Sequence, residues 1–106
     1  MKIGQEIIEE QEYEIEKMIS KEKITIKVGD RGFVDSKGNI HYTTGAGRGA
    51  IVNYDLEVEG YDHGNIASMI LNRLNRVFGI EEFLDYNDIN DEDMICEIED
   101  VLLDIL

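Results

Sequence analysis

The interval at which apolar residues recur changes along this chain of 106 residues, and the change constrains the fold more than any other feature. In the middle of the chain, Ile24 and Ile26 alternate with polar residues, and the same two-residue period returns between residues 52 and 58. This period is typical of strands with one buried face. From residue 62 onwards, apolar residues recur every three or four positions, as they do on one side of a helix. The sequence therefore predicts an α+β fold.

The predicted sheet is antiparallel and has three or four strands. Apolar and polar residues alternate at 24–28, 40–42 and 52–58, and Phe33 and Val34 begin a further strand. Residues 35–39 are types that favour turns, so they predict a hairpin between the second and third strands. An N-terminal helix is predicted over roughly residues 3–21, because most of the apolar residues there fall on one side of a helical wheel. These residues are Ile7, Ile8, Ile15, Met18 and Ile19.

Two to three helices are predicted after the strands, packed on one face of the sheet. Asp62 or Asn65 can cap the first, and Gly79 is placed to end it in a left-handed conformation. A short turn is expected over 80–86, and Asn90 then caps the last helix. The residues expected to face inward are Ile66, Ile70, Leu74 and Val77 in the first helix, and Ile95, Ile98, Leu102 and Ile105 in the last.

The chain length is close to that of one average domain, so residues 1–106 are predicted to form a single domain. The apolar stretches are too short for a signal peptide or for a membrane span. A lone cysteine, Cys96, cannot form an internal disulfide and fits a reducing compartment. We therefore expect a cytoplasmic protein that does not bind membranes.

Negative charge is concentrated near the C-terminal end of the sequence. The net charge is −14, and residues 81–106 hold eleven carboxylates with no lysine or arginine. A surface of one sign attracts partners of the opposite sign. Direct binding to DNA or RNA is disfavoured, because it requires clustered cations. The expected partner is a basic protein, and the alternative is an acidic helix face that only keeps the protein soluble.

Four of these acids have helical spacing in the last predicted helix. Asp93, Glu97, Asp100 and Asp104 are four, three and four positions apart, so they should form a row opposite the apolar stripe. A row of negative charge can imitate a nucleic-acid backbone and occupy a channel lined by lysine and arginine. The predicted partner-binding residues are this row together with the neighbouring acids Asp85, Asp88, Asp91 and Glu92. The polar face of the fourth strand, Asp55, Glu57 and Glu59, is a second candidate surface.

No catalytic residue, cofactor or dedicated metal site is predicted. Residues 88–99 match part of a calcium-loop pattern, but Asp93 stands where the loop needs glycine. His41 and His63 have no ligand at metal spacing. The acids around Cys96 disfavour the thiolate that a nucleophile requires. We therefore expect a protein that is not an enzyme.

Two alternatives to a basic protein partner remain open. The segment Gly45–Gly49 lacks the Gly-Lys-Ser/Thr ending of a phosphate loop and is expected to be flexible, yet Arg48 could help it hold a small anionic ligand. Leu103 and Leu106 lie beside the apolar stripe of the last helix and should be partly exposed. They allow a homodimer or a small regulatory adaptor.

The chain resembles small acidic proteins encoded by phages and mobile elements, including anti-restriction and anti-CRISPR proteins. The resemblance rests on size, on the absence of proline and on the acidic block Asp85–Asp93. It implies an inhibitor that blocks a CRISPR or restriction nuclease sterically or by charge mimicry, and it assigns no residue a role. The favoured interpretation is a nonenzymatic decoy for a nucleic-acid-binding site.

Overall fold

A computed structural model of the protein describes residues 1–17 and 19–106. The chain divides into two compact units, Met1–Gly60 and Tyr61–Leu106. The first contains the strands and the second contains the helices, so the α+β class is confirmed. That the whole chain forms one domain, with helices packed on one face of a sheet, stays a prediction.

Among the described residues of the first unit, six short strands form two antiparallel sheets. The strands are β1 (Glu6–Ile8), β2 (Tyr13–Glu16), β3 (Lys23–Ile26), β4 (Arg31–Val34), β5 (Ile40–Tyr42) and β6 (Ile51–Val52). One sheet has the order β1-β4-β5-β6, and the other consists of β2 and β3. Their shared core contains Ile24, Ile26, Ile40 and Tyr42.

The predicted N-terminal helix is wrong, because β1 and β2 occupy that part of the chain. Tyr13 and Ile15 are half-buried, whereas Glu14 and Glu16 are exposed, which is the period of a strand. In β2, Ile15 pairs with Ile24 of β3, while β1 pairs with β4. Pairing with β3 and β4 thus overrides the helix propensity of the glutamates. Met18, which the predicted helix included, lies outside the described residues.

The predicted hairpin between β4 and β5 is confirmed. Phe33 pairs with His41 and Val34 with Ile40. The Asp35 carboxylate oxygen Oδ1 accepts hydrogen bonds from the backbone N–H groups of Lys37 and Asn39 at 2.9 and 3.0 Å. This is an Asx-type turn, in which the aspartate side chain accepts hydrogen bonds that a backbone carbonyl would otherwise accept.

The predicted strand over 52–58 is much shorter in the structure. Only Ile51–Val52 pairs, with β5, and Asp55 has a positive φ of 48°, which interrupts an extended chain. Beyond β6, the Leu56 N–H donates to the Gly38 carbonyl and the Glu59 N–H to the Met1 carbonyl, each at 2.9 Å. The segment is therefore held by isolated hydrogen bonds and by the packing of Leu56 against the core.

The second unit contains α1 (His63–Phe78), α2 (Ile80–Tyr86) and α3 (Asp91–Ile105). The Asp62 side chain accepts a hydrogen bond from Asn65 N–H, and Gly79 has the left-handed φ of 65° that ends α1. Asn90 caps α3 by accepting from Glu92 N–H. The caps at Asp62, Gly79 and Asn90 are as predicted, and the expected turn over 80–86 is a short helix.

The buried faces of α1 and α3 differ in part from the predicted stripes. α1 buries Ala67 and Leu71, while the predicted Ile70 and Val77 are exposed. α1 and α3 are in contact, and the buried positions of α1 lie one residue beyond the predicted Ile66 and Ile70. In α3 the predicted residues Ile95, Ile98 and Leu102 are half-buried, but Ile105 near the C-terminal end of the helix is 73% exposed.

The part of the chain that the structure describes contains no helix with both the length and the apolar character needed to cross a bilayer.

Candidate functional site

The predicted row of acids lies on the exposed side of α3. Asp93, Glu97, Asp100 and Asp104 are all exposed, while Ile98 and its neighbours on the other side of the helix are half-buried. At 1.5 Å of rise per residue, the row spans about 16 Å of helix axis. We call these four residues the acidic row.

The supporting acids are held by well-defined caps. Asp88 has a positive φ of 53° just after α2, and the next amide, Ile89 N–H, donates to the Leu84 carbonyl at 2.8 Å. This hydrogen bond closes a Schellman-type end. The loop then leads directly to Asn90 and to the first turn of α3. The predicted residues Asp85, Asp88, Asp91 and Glu92 are all exposed there.

The acidic row has no compensating cation among the described residues. The ion pairs found there are Lys17–Glu22, Arg31–Glu6 and His41–Asp35, all in the first unit. The helical unit contains two basic side chains besides His63, namely Arg73 and Arg76, and neither forms an ion pair within the described part of the chain. The row therefore presents uncompensated negative charge.

The second predicted acidic surface is exposed but irregular. Asp55, Glu57 and Glu59 are exposed, and the segment that carries them lies outside the sheets. The positive φ at Asp55 also breaks the alternation that would align the three side chains on one face.

The glycine-rich segment is packed against the strands. The amide of Gly49 donates to the Tyr42 carbonyl at 2.9 Å, and that of Ala50 to Gly47 at 2.9 Å. A Cβ atom at Gly47 would collide with the side chain of Ile26 in the core. Gly47 is therefore required for close packing, and these two amides are not free to bind an anion.

No group of three or more potential metal-ligating side chains converges within residues 1–17 and 19–106. Most of the partial calcium-loop pattern lies in α3, where a continuous helix spreads the carboxylates along its axis. His41 instead bonds Asp35, with 2.7 Å between Nε2 and Oδ2, and stacks on Phe33 with ring centroids 4.7 Å apart. Hydrogen bonds from backbone N–H groups, that of Asn39 first, and from His41 hold the pKa of Asp35 below its ordinary value.

The structure also shows a groove that the sequence did not predict. Its volume is about 600 Å³, and its walls include Tyr13, Tyr54, Ile40 and Leu56. The rings of Tyr13 and Tyr54 meet edge to face, with centroids 6.3 Å apart and an angle of 87° between planes. We call this feature the tyrosine groove.

Glu9 is one of the polar residues that line the tyrosine groove, and it is half-buried. Its Oε1 accepts a 2.6 Å hydrogen bond from the Tyr42 hydroxyl. Burial, and then the nearby charge of Asp30, raise the pKa of Glu9 above its ordinary value of 4.5. The pKa of Tyr13 is raised by burial first and then by the neighbouring Tyr54 and Glu9. The Tyr13 hydroxyl is buried without reaching hydrogen-bond geometry to any described residue.

The groove was missed because the prediction placed Glu9 and Tyr13 on a helix. On that helix they would be one turn apart, whereas the structure places Glu9 just after β1 and Tyr13 at the start of β2. The alternation Tyr13-Glu14-Ile15-Glu16 is the signal that could have indicated a strand.

In comparisons with known proteins, no family model matches the chain, and no curated protein or solved structure matches it significantly.

Proposed function

We propose that this protein is a nonenzymatic inhibitor that docks its acidic row onto the basic, nucleic-acid-binding surface of a partner protein. A CRISPR or restriction nuclease in the cytoplasm would present such a surface. The observation that carries the proposal is that the eight predicted acids are all exposed, without an ion pair to any described basic side chain.

The arrangement of the row supports a competitive mechanism. The acidic row places one charge per about 5 Å of helix axis, compared with about 3.4 Å per phosphate along one DNA strand. It is therefore sparser than a duplex, and the acids at 85, 88, 91 and 92 add charge next to its N-terminal end. Binding of this kind should depend strongly on salt, because the charges are solvent-exposed.

The test is capture from a nuclease-treated bacterial lysate on the immobilised protein, followed by elution with salt or with a short nucleic-acid duplex. We expect the bait to retain a basic nucleic-acid-binding protein that both treatments release. The combined reversals Asp93→Lys, Glu97→Lys and Asp100→Lys should abolish capture and leave the circular dichroism spectrum unchanged.

The matched control reverses three exposed glutamates of the first unit, Glu10→Lys, Glu12→Lys and Glu14→Lys. Both triple variants change the net charge of −14 by the same six units. The control should still capture the partner. Equal capture by the two variants, or a partner that a nucleic-acid duplex does not displace, would show that the acidic row is not a decoy.

A dimeric adaptor is a second candidate, because the helical unit leaves several large apolar side chains in solvent. Phe78 is 72% exposed, and Val101 and Ile105 lie one turn apart on α3 with 56% and 73% exposure. The predicted Leu103 and Leu106 are also exposed. A self-associating protein would show a concentration-dependent mass in sedimentation velocity, and Ile105→Ser should reduce it. A constant monomer mass would exclude this candidate.

A further inference from the structure

We propose that the tyrosine groove binds an alkylammonium group, such as that of a lysine side chain or of a free aliphatic amine. This inference uses residues of the first unit only, and it does not depend on the function proposed for the acidic row.

The shape and aromatic walls of the groove fit such a ligand. A volume of about 600 Å³ accommodates a short alkyl chain, and Ile40 and Leu56 provide apolar surface for its methylene groups. Tyr13 and Tyr54, nearly perpendicular, form a corner of aromatic surface. Ammonium groups are attracted to tyrosine rings, since the ring faces carry partial negative charge.

The charges of the groove also favour a cation. Three glutamates, Glu6, Glu9 and Glu10, line it, and none of its described lining residues has a lysine, arginine or histidine side chain. Glu6 is already paired with Arg31 at 3.3 Å. The α-amino group of Met1, which is also among the lining residues, donates to the Glu57 carbonyl at 3.1 Å.

Glu9 is the expected anchor for the ligand. Its carboxylate is partly desolvated and lies near the like charge of Asp30, and a bound cation would offset both costs. The Tyr13 hydroxyl is buried beside Tyr54 and Glu9, so the ring of Tyr13, and not its oxygen, is the surface that the ligand would contact.

An organic cation fits better than a metal ion. Calcium and magnesium need several oxygen ligands that converge on one point. Within the described residues, no three carboxylate, histidine or cysteine side chains do so. The groove instead combines one anchoring carboxylate with aromatic and aliphatic walls.

The experiment is a titration with butylammonium chloride at physiological salt, followed by ¹H–¹⁵N NMR and calorimetry. We expect saturable binding of one amine per chain, with the largest shift changes at Tyr13, Tyr54 and Ile40. Glu9→Gln keeps the shape of the side chain and removes its charge, and it should weaken binding about tenfold or more. Tyr54→Leu removes a partly exposed ring and should weaken binding roughly three- to tenfold.

The control variant is Glu57→Gln, which removes an exposed carboxylate outside the groove lining. It should bind the amine as the unchanged protein does. Binding that does not saturate, or that Glu57→Gln weakens as much as Glu9→Gln, would show general attraction to an acidic protein and overturn the proposal.

Two further titrations identify the source of the ammonium group. Tighter binding of Nα-acetyl-lysine methylamide than of putrescine supports a lysine side chain of a protein, and the reverse order supports a free amine. The triple reversal of Asp93, Glu97 and Asp100 should leave amine binding intact. A failure of the decoy function and a failure of the groove are therefore distinguishable.

Discussion

At the scale of single residues, Glu9 gives the clearest prediction of pH dependence. Its pKa in the folded protein lies above the ordinary value of 4.5, because burial and Asp30 disfavour the charge. The contribution of Glu9 to stability is therefore complete below 4.5, and it is lost as the pH rises through the folded value. The pKa of Asp35 is shifted the opposite way, so its contribution is lost only as the pH falls below 3.8.

Glu9→Gln should remove this pH dependence. Urea unfolding of the two proteins would be compared between pH 7 and pH 4.5. We expect the unchanged protein to gain stability relative to Glu9→Gln as the pH falls, because its own carboxylate then becomes neutral. The other titrating groups are common to both proteins and cancel in the difference. A stability difference that is independent of pH would show that Glu9 is not destabilised by its surroundings.

At the scale of secondary-structure elements, local sequence signals were sufficient to predict some helices and strands and insufficient to predict others. The ends of α1 and α3 were predicted, because caps such as Asn90 act within a few residues. The β4–β5 hairpin was predicted for the same reason. β1 and β2 depend instead on pairing with β4 and β3, which the local sequence does not reveal. Their glutamates alone therefore indicated a helix.

The same distinction applies to the candidate sites. The exposure of Asp93 and Glu97 follows from helical spacing alone, and it was predicted. The tyrosine groove requires Tyr13 to meet Tyr54, which only the tertiary structure brings together. The burial of Ala67 and Leu71 in α1 also depends on tertiary contacts, because helical spacing alone does not choose between neighbouring stripes.

A substitution at Gly38 in the β4–β5 hairpin would measure how firmly the hairpin holds the segment that follows β6. Gly38 has a φ of 80°, its carbonyl accepts the Leu56 N–H, and a Cβ atom there would collide with the Leu56 backbone. We expect Gly38→Ala to destabilise the fold by about 3 kcal/mol, the sum of backbone strain and steric overlap. Gly29→Ala is the matched control, because Gly29 has a φ of 91° and no atom within 4 Å of the added Cβ.

Gly29→Ala should cost only the backbone strain, about 1 kcal/mol. Urea unfolding gives both values, and the excess loss in Gly38→Ala measures the contact with Leu56. Equal losses would mean that the segment moves aside at no cost. It would then be too loosely held to fix Tyr54 in the groove.

At the scale of the whole molecule, 24 acidic and 10 basic residues give a net charge that opposes the folded state at low salt. The acidic row contributes three like-charge neighbour pairs at helical spacing, each costing about 0.2–0.5 kcal/mol. The double variant Glu97→Gln with Asp104→Asn removes one charge from each of the three pairs. It also removes a negative charge from the last turn of α3, where the helix dipole disfavours negative charge. This double variant should be more stable by about 1 kcal/mol at low salt.

Salt should reduce that gain, because screening weakens repulsion between exposed charges in the unchanged protein. Thermal unfolding at low and at high sodium chloride measures the effect, and Glu12→Gln with Glu57→Gln removes two exposed charges elsewhere as a control. If both double variants gained equally, the repulsion would be a property of the total charge. A gain in stability only in the double variant of the acidic row would show that the charges of α3 destabilise the free protein. This is the result expected if a basic partner neutralises those charges in a complex.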